Sequence, residues 1–372
     1  MSIRLSCDRE TIDWLRLART DHVGPITFRQ LLERFGSAAV ALEALPDLAR
    51  QGGRKAGLKP PTISAIEQEV AEATRHGAQP VRLNAPDYPA LLRRIDDAPP
   101  VLYLRGHASL AHRRCVALVG ARNASLNGRK LAEHLARELG RLDFVIVSGL
   151  ARGIDGAAHR GALETGTIAA IAGGIDTIYP PEHADLQISI AERGLLIAEQ
   201  PPGTQPQARH FPRRNRIISG CALGVVVVEA ALRSGSLITA RLAGEQGREV
   251  MAVPGSPLDV RCRGANALIR EGAILVEDAA QIAEALLPLS GGAEPESLPF
   301  ASHRPPQPSP GELAEARRRI GELLGPSPVA VDELLRECQL SHPVLQTVLL
   351  ELELAGRLER LPGGLVVMLI TP

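Results

Sequence analysis

Lysine is nearly absent: Lys55, Lys59 and Lys130 carry all of it, and the rest of the positive charge is arginine. Guanidinium forks suit bidentate phosphate contacts, but a GC-rich genome leaves the same bias, so composition alone assigns no ligand. The formal net charge of +0 argues against a uniformly basic nucleic-acid coat and leaves only a local patch open. Long apolar runs are missing too. The strongest, around Val225–Val228, falls far short of the ~20 residues that span a bilayer, which gives no membrane partner. Met1 to Trp14 lacks the basic, apolar and small-residue succession of a secretory leader, so a cytoplasmic protein is expected. Cys7, Cys115, Cys221, Cys262 and Cys338 are scattered, with no CxxC pair and no histidine at ligand spacing, so neither disulfides nor a metal are expected.

Nucleotide fingerprints are absent as well. No GxGxxG follows a strand and no GxxxxGKS occurs, which removes support for nicotinamide binding and for NTP hydrolysis and leaves no cofactor to expect.

The length of 372 residues suits two or three folding units. Residues 1–78 read as a small helical domain with helices at Thr11–Arg19, Ile26–Phe35, Ala38–Leu45 and Thr62–His76. Within it, His22-Val23-Gly24-Pro25 and the helix after it resemble half of a helix-hairpin-helix, a turn whose amides can hold phosphate; we read it as a packing element. Residues 79–287 change character to short β-branched runs alternating with helical stretches, the pattern of a parallel sheet built from βαβ units. Strands are predicted at Val101–Leu104, Val116–Val119, Val145–Val147, Ile168–Ala172, Leu195–Ala198, Val225–Val228 and Val250–Val253. The helices between them make this an α/β, Rossmann-like, doubly wound sheet, with the loops after successive strands gathered at one carboxyl edge. Residues 288–311 are rich in proline and glycine and read as a flexible linker. Residues 312–372 read as three helices and a hairpin, a winged helix, whose third helix Pro343–Ala355 is mostly apolar and without a basic residue until Arg357. Protein contact or regulation therefore fits it better than DNA reading.

The carboxyl-edge loops carry the candidate chemistry. Gly120-Ala121-Arg122 leads into a helix, where a glycine lets amides approach an anion and the helix dipole favours it. Ser148-Gly149-Leu150-Ala151-Arg152-Gly153 repeats the arrangement, with Asp155 as helix cap; Arg152 reads as an anion contact, with a salt bridge to a neighbouring carboxylate as its alternative. Gly173 and Gly174 permit close backbone approach by a sugar or phosphate. Phe211 with Arg213, Arg214, Asn215 and Arg216 is the most nucleic-acid-like stretch, suited to backbone neutralisation plus base stacking, although Phe211 reads equally well as a buried anchor. Ser234-Gly235-Ser236 offers a capped helix start, and Glu229 lacks the partners of a catalytic base, so a structural or orienting role suits it better. Arg122, Arg152 and the Arg213–Arg216 cluster are expected along one rim, a groove that binds a polyanion.

In order along residues 80–277, VGARNAS, SGLARGID, YPPEH, FPRRNRIISG, VVVEA, SGSLITA, GREVMAVPG and GANALIREGA resemble the motif set of the DprA/Smf family. The resemblance implies an extended Rossmann-like domain that binds single-stranded DNA, forms homodimers and helps RecA assemble on strands protected by SSB, without being an enzyme. In naturally transformable bacteria this serves the uptake of foreign DNA. By position it places the Gly-x-Arg loop at Gly120 to Arg122, a second turn at Ser148 to Gly153 and the Arg-Asn-Arg signature at Arg214 to Arg216. Ala121 stands where many relatives have serine, and Pro181-Glu182 where some have lysine. The rival reading is a nucleotide-binding enzyme of the phosphoribohydrolase type, faintly suggested by Glu229 and Ser234 to Ser236. Dimerisation is expected near Ala265 to Ile274.

Overall fold

The computed structural model describes residues 8–54, 58–290, 309–361 and 363–369. They fall into two compact units: one runs from Glu67 to 290, and the other joins the residues up to Ile66 with those from 309 onward.

The larger unit holds β1 (Gln79–Arg82), β2 (Val101–Gly106), β3 (Cys115–Val119), β4 (Val145–Ser148), β5 (Thr167–Gly174), β6 (Leu195–Gln200), β7 (Gly224–Val227), β8 (Glu249–Ala252) and β9 (Ile274–Leu275). They form one sheet in the order β1-β2-β6-β5-β4-β3-β7-β8-β9. From β6 to β9 every neighbouring pair is parallel, whereas β2 joins β6 antiparallel and carries β1. β4 and β7 flank β3, so the winding reverses there and the carboxyl edge opens beside β3.

The apolar strands lack alternation because both faces are covered. Ala117 and Val119 point into one core with Val147, Ala170, Val225 and Val227, while Val116 and Leu118 point into the other with Ile146 and Val226. The second face is closed by Leu135 and Leu139 of a helix at Leu126–Arg141, Ala157 and Ala158 of one at Ile154–Ala162, and Ile282 and Leu286 of one at Ala279–Ser290. The first is closed by Ile217 and Ile218 of a helix at His210–Gly220 and by Ala240 and Ala243 of one at Gly235–Glu245. The last helix before the expected linker thus runs on to Ser290; residues 291–308 lie outside the described residues.

In chain order the helices are α1 (Arg9–Ala18), α2 (Pro25–Phe35), α3 (Ala38–Gln51), α4 (Ile63–Arg75), α5 (Leu126–Arg141), α6 (Ile154–Ala162), α7 (Ala184–Arg193), α8 (His210–Gly220), α9 (Gly235–Glu245), α10 (Arg263–Arg270), α11 (Ala279–Ser290), α12 (Pro310–Leu323), α13 (Val331–Cys338) and α14 (His342–Leu354). The predicted stop at Leu45 was wrong: α3 continues through Pro46 to Gln51. Burial of Leu48 and Ala49 one turn later outweighs the hydrogen bond that proline forfeits. The winged helix comprises α12 to α14 with β10 (Val329–Ala330), β11 (Leu358–Leu361) and β12 (Leu365–Met368), paired in the order β10-β12-β11. Ser309 and Glu312 form a reciprocal capping box at its start. No helix among the described residues is long and apolar enough to cross a membrane.

Candidate nucleic-acid interface

At the carboxyl edge, the loops after β3, β4 and β5 and the start of α8 surround an open recess. Arg122, Gly149, Arg152, Gly173, Tyr179, Phe211 and Arg214 line it, with Leu150, Ala151 and Thr177. The Arg122 guanidinium lies 4.8 Å from the Phe211 ring centroid. Tyr179 meets the same ring from the side at 5.7 Å, tilted by 55°. The mouth therefore offers two aromatic surfaces beside the exposed Arg122 cation, a combination that suits bases and phosphates together. Arg152 is exposed and faces Glu182 at 3.4 Å, an ion pair in water worth under about 1 kcal/mol. Arg213 is exposed on the first turn of α8 but does not line the recess.

Arg214 is different, being buried at the floor of the recess. Its Nη1 donates to the carbonyls of Gly149 and Ala170, and its Nε has no hydrogen-bond partner among the described residues. Burial lowers its pKa to about 10, with Asp155 opposing and Arg122 adding to the shift. Asp155, also buried, accepts from the amides of Gly149 at 3.2 Å and Ala151 at 3.3 Å. The Gly149 peptide is thus gripped at both ends, its N–H by a carboxylate and its carbonyl by a guanidinium. A Cβ at Gly149 would enter the Arg214 guanidinium, so the glycine is there for close packing.

Several predicted contact residues lie elsewhere. Ser148 is buried and donates to the Leu118 carbonyl at 2.6 Å, tying β4 to β3. Gly120 sits against Ile154 and the Glu229 carbonyl, and the Ala121 amide donates to that carbonyl at 2.7 Å, so the first loop spends its backbone internally. Gly153, at φ 80, lets the Ala121 carbonyl come close. Gly174 accommodates the Pro201–Gly203 turn, and Gly173 beside it faces the recess. Asn215 donates to the Gly235 carbonyl at 3.3 Å. Ser234 caps α9 and bonds Ser236 at 2.8 Å. Arg216 is turned into the body of the unit, where it pairs with Glu199 at 2.6 Å and bonds the Asp97 carbonyl. Among the arginines the cause is geometric: on a helix, Arg213 to Arg216 cover a whole turn, so consecutive arginines cannot face one groove. Tyr179 is a lining residue of the recess that sequence reading missed; its only signal was the Tyr-Pro-Pro turn after the paired glycines.

Behind the second loop lies a buried polar relay. His183 Nδ1 donates to the Leu150 carbonyl at 3.0 Å, and His159 Nδ1 donates to Thr167 Oγ1 at 2.7 Å, which passes its own proton to the Ile146 carbonyl at 3.0 Å. Burial above all, then the charges of His183, Arg214 and Arg160, draws the His159 pKa from 6.5 down to about 3. The native state therefore binds fewer protons than the unfolded chain between those values. Stability is full above pH 6.5 and declines as pH falls towards about 3, by up to about 1.4 kcal/mol per pH unit. Asp155 works in the opposite sense, because burial raises its pKa and its ionised form is the strained one. A His159→Asn chain separates the two: its urea midpoint should fall less steeply than the parent's from pH 6.5 to 4.5. Equal slopes would mean that His159 titrates alike folded and unfolded.

Comparison with known proteins agrees with this architecture. The profile of the DNA recombination-mediator protein A family matches residues 79–287. The chain belongs to the DprA/Smf family. The DprA-like N-terminal HHH domain matches residues 8–72, and the DprA winged helix domain residues 304–364. Protein Smf of Escherichia coli is 41% identical over 290 residues, 75% of this chain and 74% of its own length. DNA processing protein DprA of Bacillus subtilis is 44% identical over 224 residues, 59% of this chain and 75% of its own length. The crystal structure of Streptococcus pneumoniae DprA superposes with a TM-score of 0.65 at 36% identity, covering 74% of this chain and 97% of the other. DNA processing protein A of Helicobacter pylori, a structure described for its single-stranded DNA binding mode, gives 0.52 at 30% identity, covering 56% and 96%.

Proposed function

We propose that this DprA/Smf protein binds single-stranded DNA in the recess at the carboxyl edge of its sheet and delivers the strand to RecA, as a cytoplasmic homodimer and without transforming it. The observation that carries this reading is the Arg122 guanidinium stacked on Phe211 beside Tyr179, above the buried cation of Arg214. Sequence-tolerant binding follows from such a site, because any base has a face to stack and any nucleotide a phosphate to neutralise. The Helicobacter pylori relative described for single-stranded DNA supports it. SSB-covered strands are the proposed setting for the RecA step, and natural transformation its proposed use.

The enzymatic alternative depended on Glu229. Both of its carboxylate oxygens are engaged by Ser125, one by the amide at 2.8 Å and one by the hydroxyl, so it stands as a cap on α5 and not as a free base. Released base on incubation with nucleoside monophosphates would revive that alternative.

Arg122 is the residue to test, because it is exposed at the mouth of the recess. In a mobility-shift series against salt, Arg122→Ala should weaken single-strand binding about tenfold and reduce the slope of log affinity against log salt by about 0.7. Unchanged affinity and slope would remove the recess as the binding site. RecA filament nucleation on SSB-covered strands, measured with and without the protein, tests delivery separately.

A further inference from the structure

The winged helix has a third helix with no outward face to offer. Along α14, Val344, Leu345, Val348, Leu349 and Leu352 enter the core of the winged helix itself. Thr347, Leu350, Glu351 and Leu354 lie on the other side at i, i+3, i+4 and i+7, the spacing of a second helical stripe. All four are buried, Glu351 and Leu354 completely. What covers them is the N-terminal helical domain, whose α3 lies alongside α14.

The joint is built from both sides. A Cβ on Gly52, at the end of α3, would run into the Glu351 carbonyl, so only glycine lets the two backbones approach this closely. Arg357 reaches the Gly52 carbonyl at 3.4 Å, and Gln30 of α2 donates to Gln346 at 3.1 Å. Arg360 touches both glutamines, at 3.4 and 3.3 Å. Arg317 clasps Glu351 with two bonds of 2.7 and 2.9 Å and extends to Gln51 at 3.4 Å. The turn that resembles half of a helix-hairpin-helix is involved as well, since the His22 ring lies against Gly356.

We propose that the winged helix of this chain is a docking module for its own N-terminal helical domain and not a reader of duplex DNA. A helix that reads a major groove presents polar and basic side chains outward, and affinity for a duplex comes mainly from lysine and arginine on phosphates. The outward stripe of α14 carries two leucines, a threonine and a buried carboxylate, and its helix contains neither lysine nor arginine. The third helix is thus covered by α3, and the turn at His22 meets the chain just past its end. Duplex binding by this unit would require taking the joint apart. This inference concerns a different surface from the recess, and it stands or falls without it.

The full-length protein carrying Leu350→Cys provides the test. The labelling rate of the introduced thiol, followed by peptide mass spectrometry, is compared with that of Val40→Cys, a position 46% exposed on the same unit. Docking predicts labelling at least about a hundredfold slower at 350, unchanged by a saturating duplex oligonucleotide. Adding Gly52→Val, which lies outside the winged helix, should bring the rate up to that of the exposed site. Equal rates at the two positions, slowing by the duplex, or slow labelling that persists with Gly52→Val would each overturn the proposal.

Discussion

Arg214→Met should cost the sheet domain about 3–5 kcal/mol in urea unfolding, more than any loss of a surface arginine. The guanidinium is buried, and it holds the carbonyls of Gly149, just past β4, and of Ala170, within β5. Methionine fills much of the volume but leaves both carbonyls without a donor and Asp155 as a buried carboxylate without its neighbouring cation. Single-strand binding should fall in parallel, because the Gly149 loop forms one wall of the recess. Adding Asp155→Asn to the same chain should recover about 1–2 kcal/mol, since an uncharged amide tolerates that site better than an unpaired carboxylate. A cost below about 1 kcal/mol, or no recovery in the double variant, would show that the buried charges do not hold the loop.

Gly153→Ala should be comparably damaging, at about 3 kcal/mol or more, for two separate reasons. The residue sits at φ 80 and ψ −121, a conformation that only glycine enters easily. A Cβ would also meet the carbonyl oxygens of Ala121 and Arg122, the latter at 2.6 Å, and neither can move without opening the first loop. Gly203→Ala separates the contributions: at φ 78 it too lies at positive φ, yet nothing lies within 4 Å of its added Cβ. It should cost only about 1 kcal/mol. Equal melting temperatures for the two alanine variants would falsify the claim that the loops are locked by close packing.

Both expectations rest on groups whose role changed between sequence and structure. Arginines clustered in sequence suggest a cluster in space, but α8 rotates its residues by about 100° each. Arg213 therefore meets solvent, Arg214 floors the recess and Arg216 reaches Glu199 on β6. Likewise Ser148 and Ala121 look like anion donors at strand ends, whereas the Ser148 hydroxyl and the Ala121 amide bond a neighbouring strand and loop. A strand end in a closely packed sheet has many hydrogen-bonding groups to satisfy, and the protein itself satisfies most of them first. Arg122 was legible because an exposed cation beside a glycine-rich turn has fewer internal uses.

The amino-acid sequence by itself determined the α/β class, the succession of strands and helices and the carboxyl-edge placement of the loops, because periodicity, turn residues and the right-handed crossover are local or nearly local. Tertiary structure alone decided which arginine faces the recess, that Tyr179 joins Phe211 there, and that α14 lies on α3. Those outcomes depend on side chains far apart in the chain competing for the same buried space. No stretch of sequence carries the result of that competition.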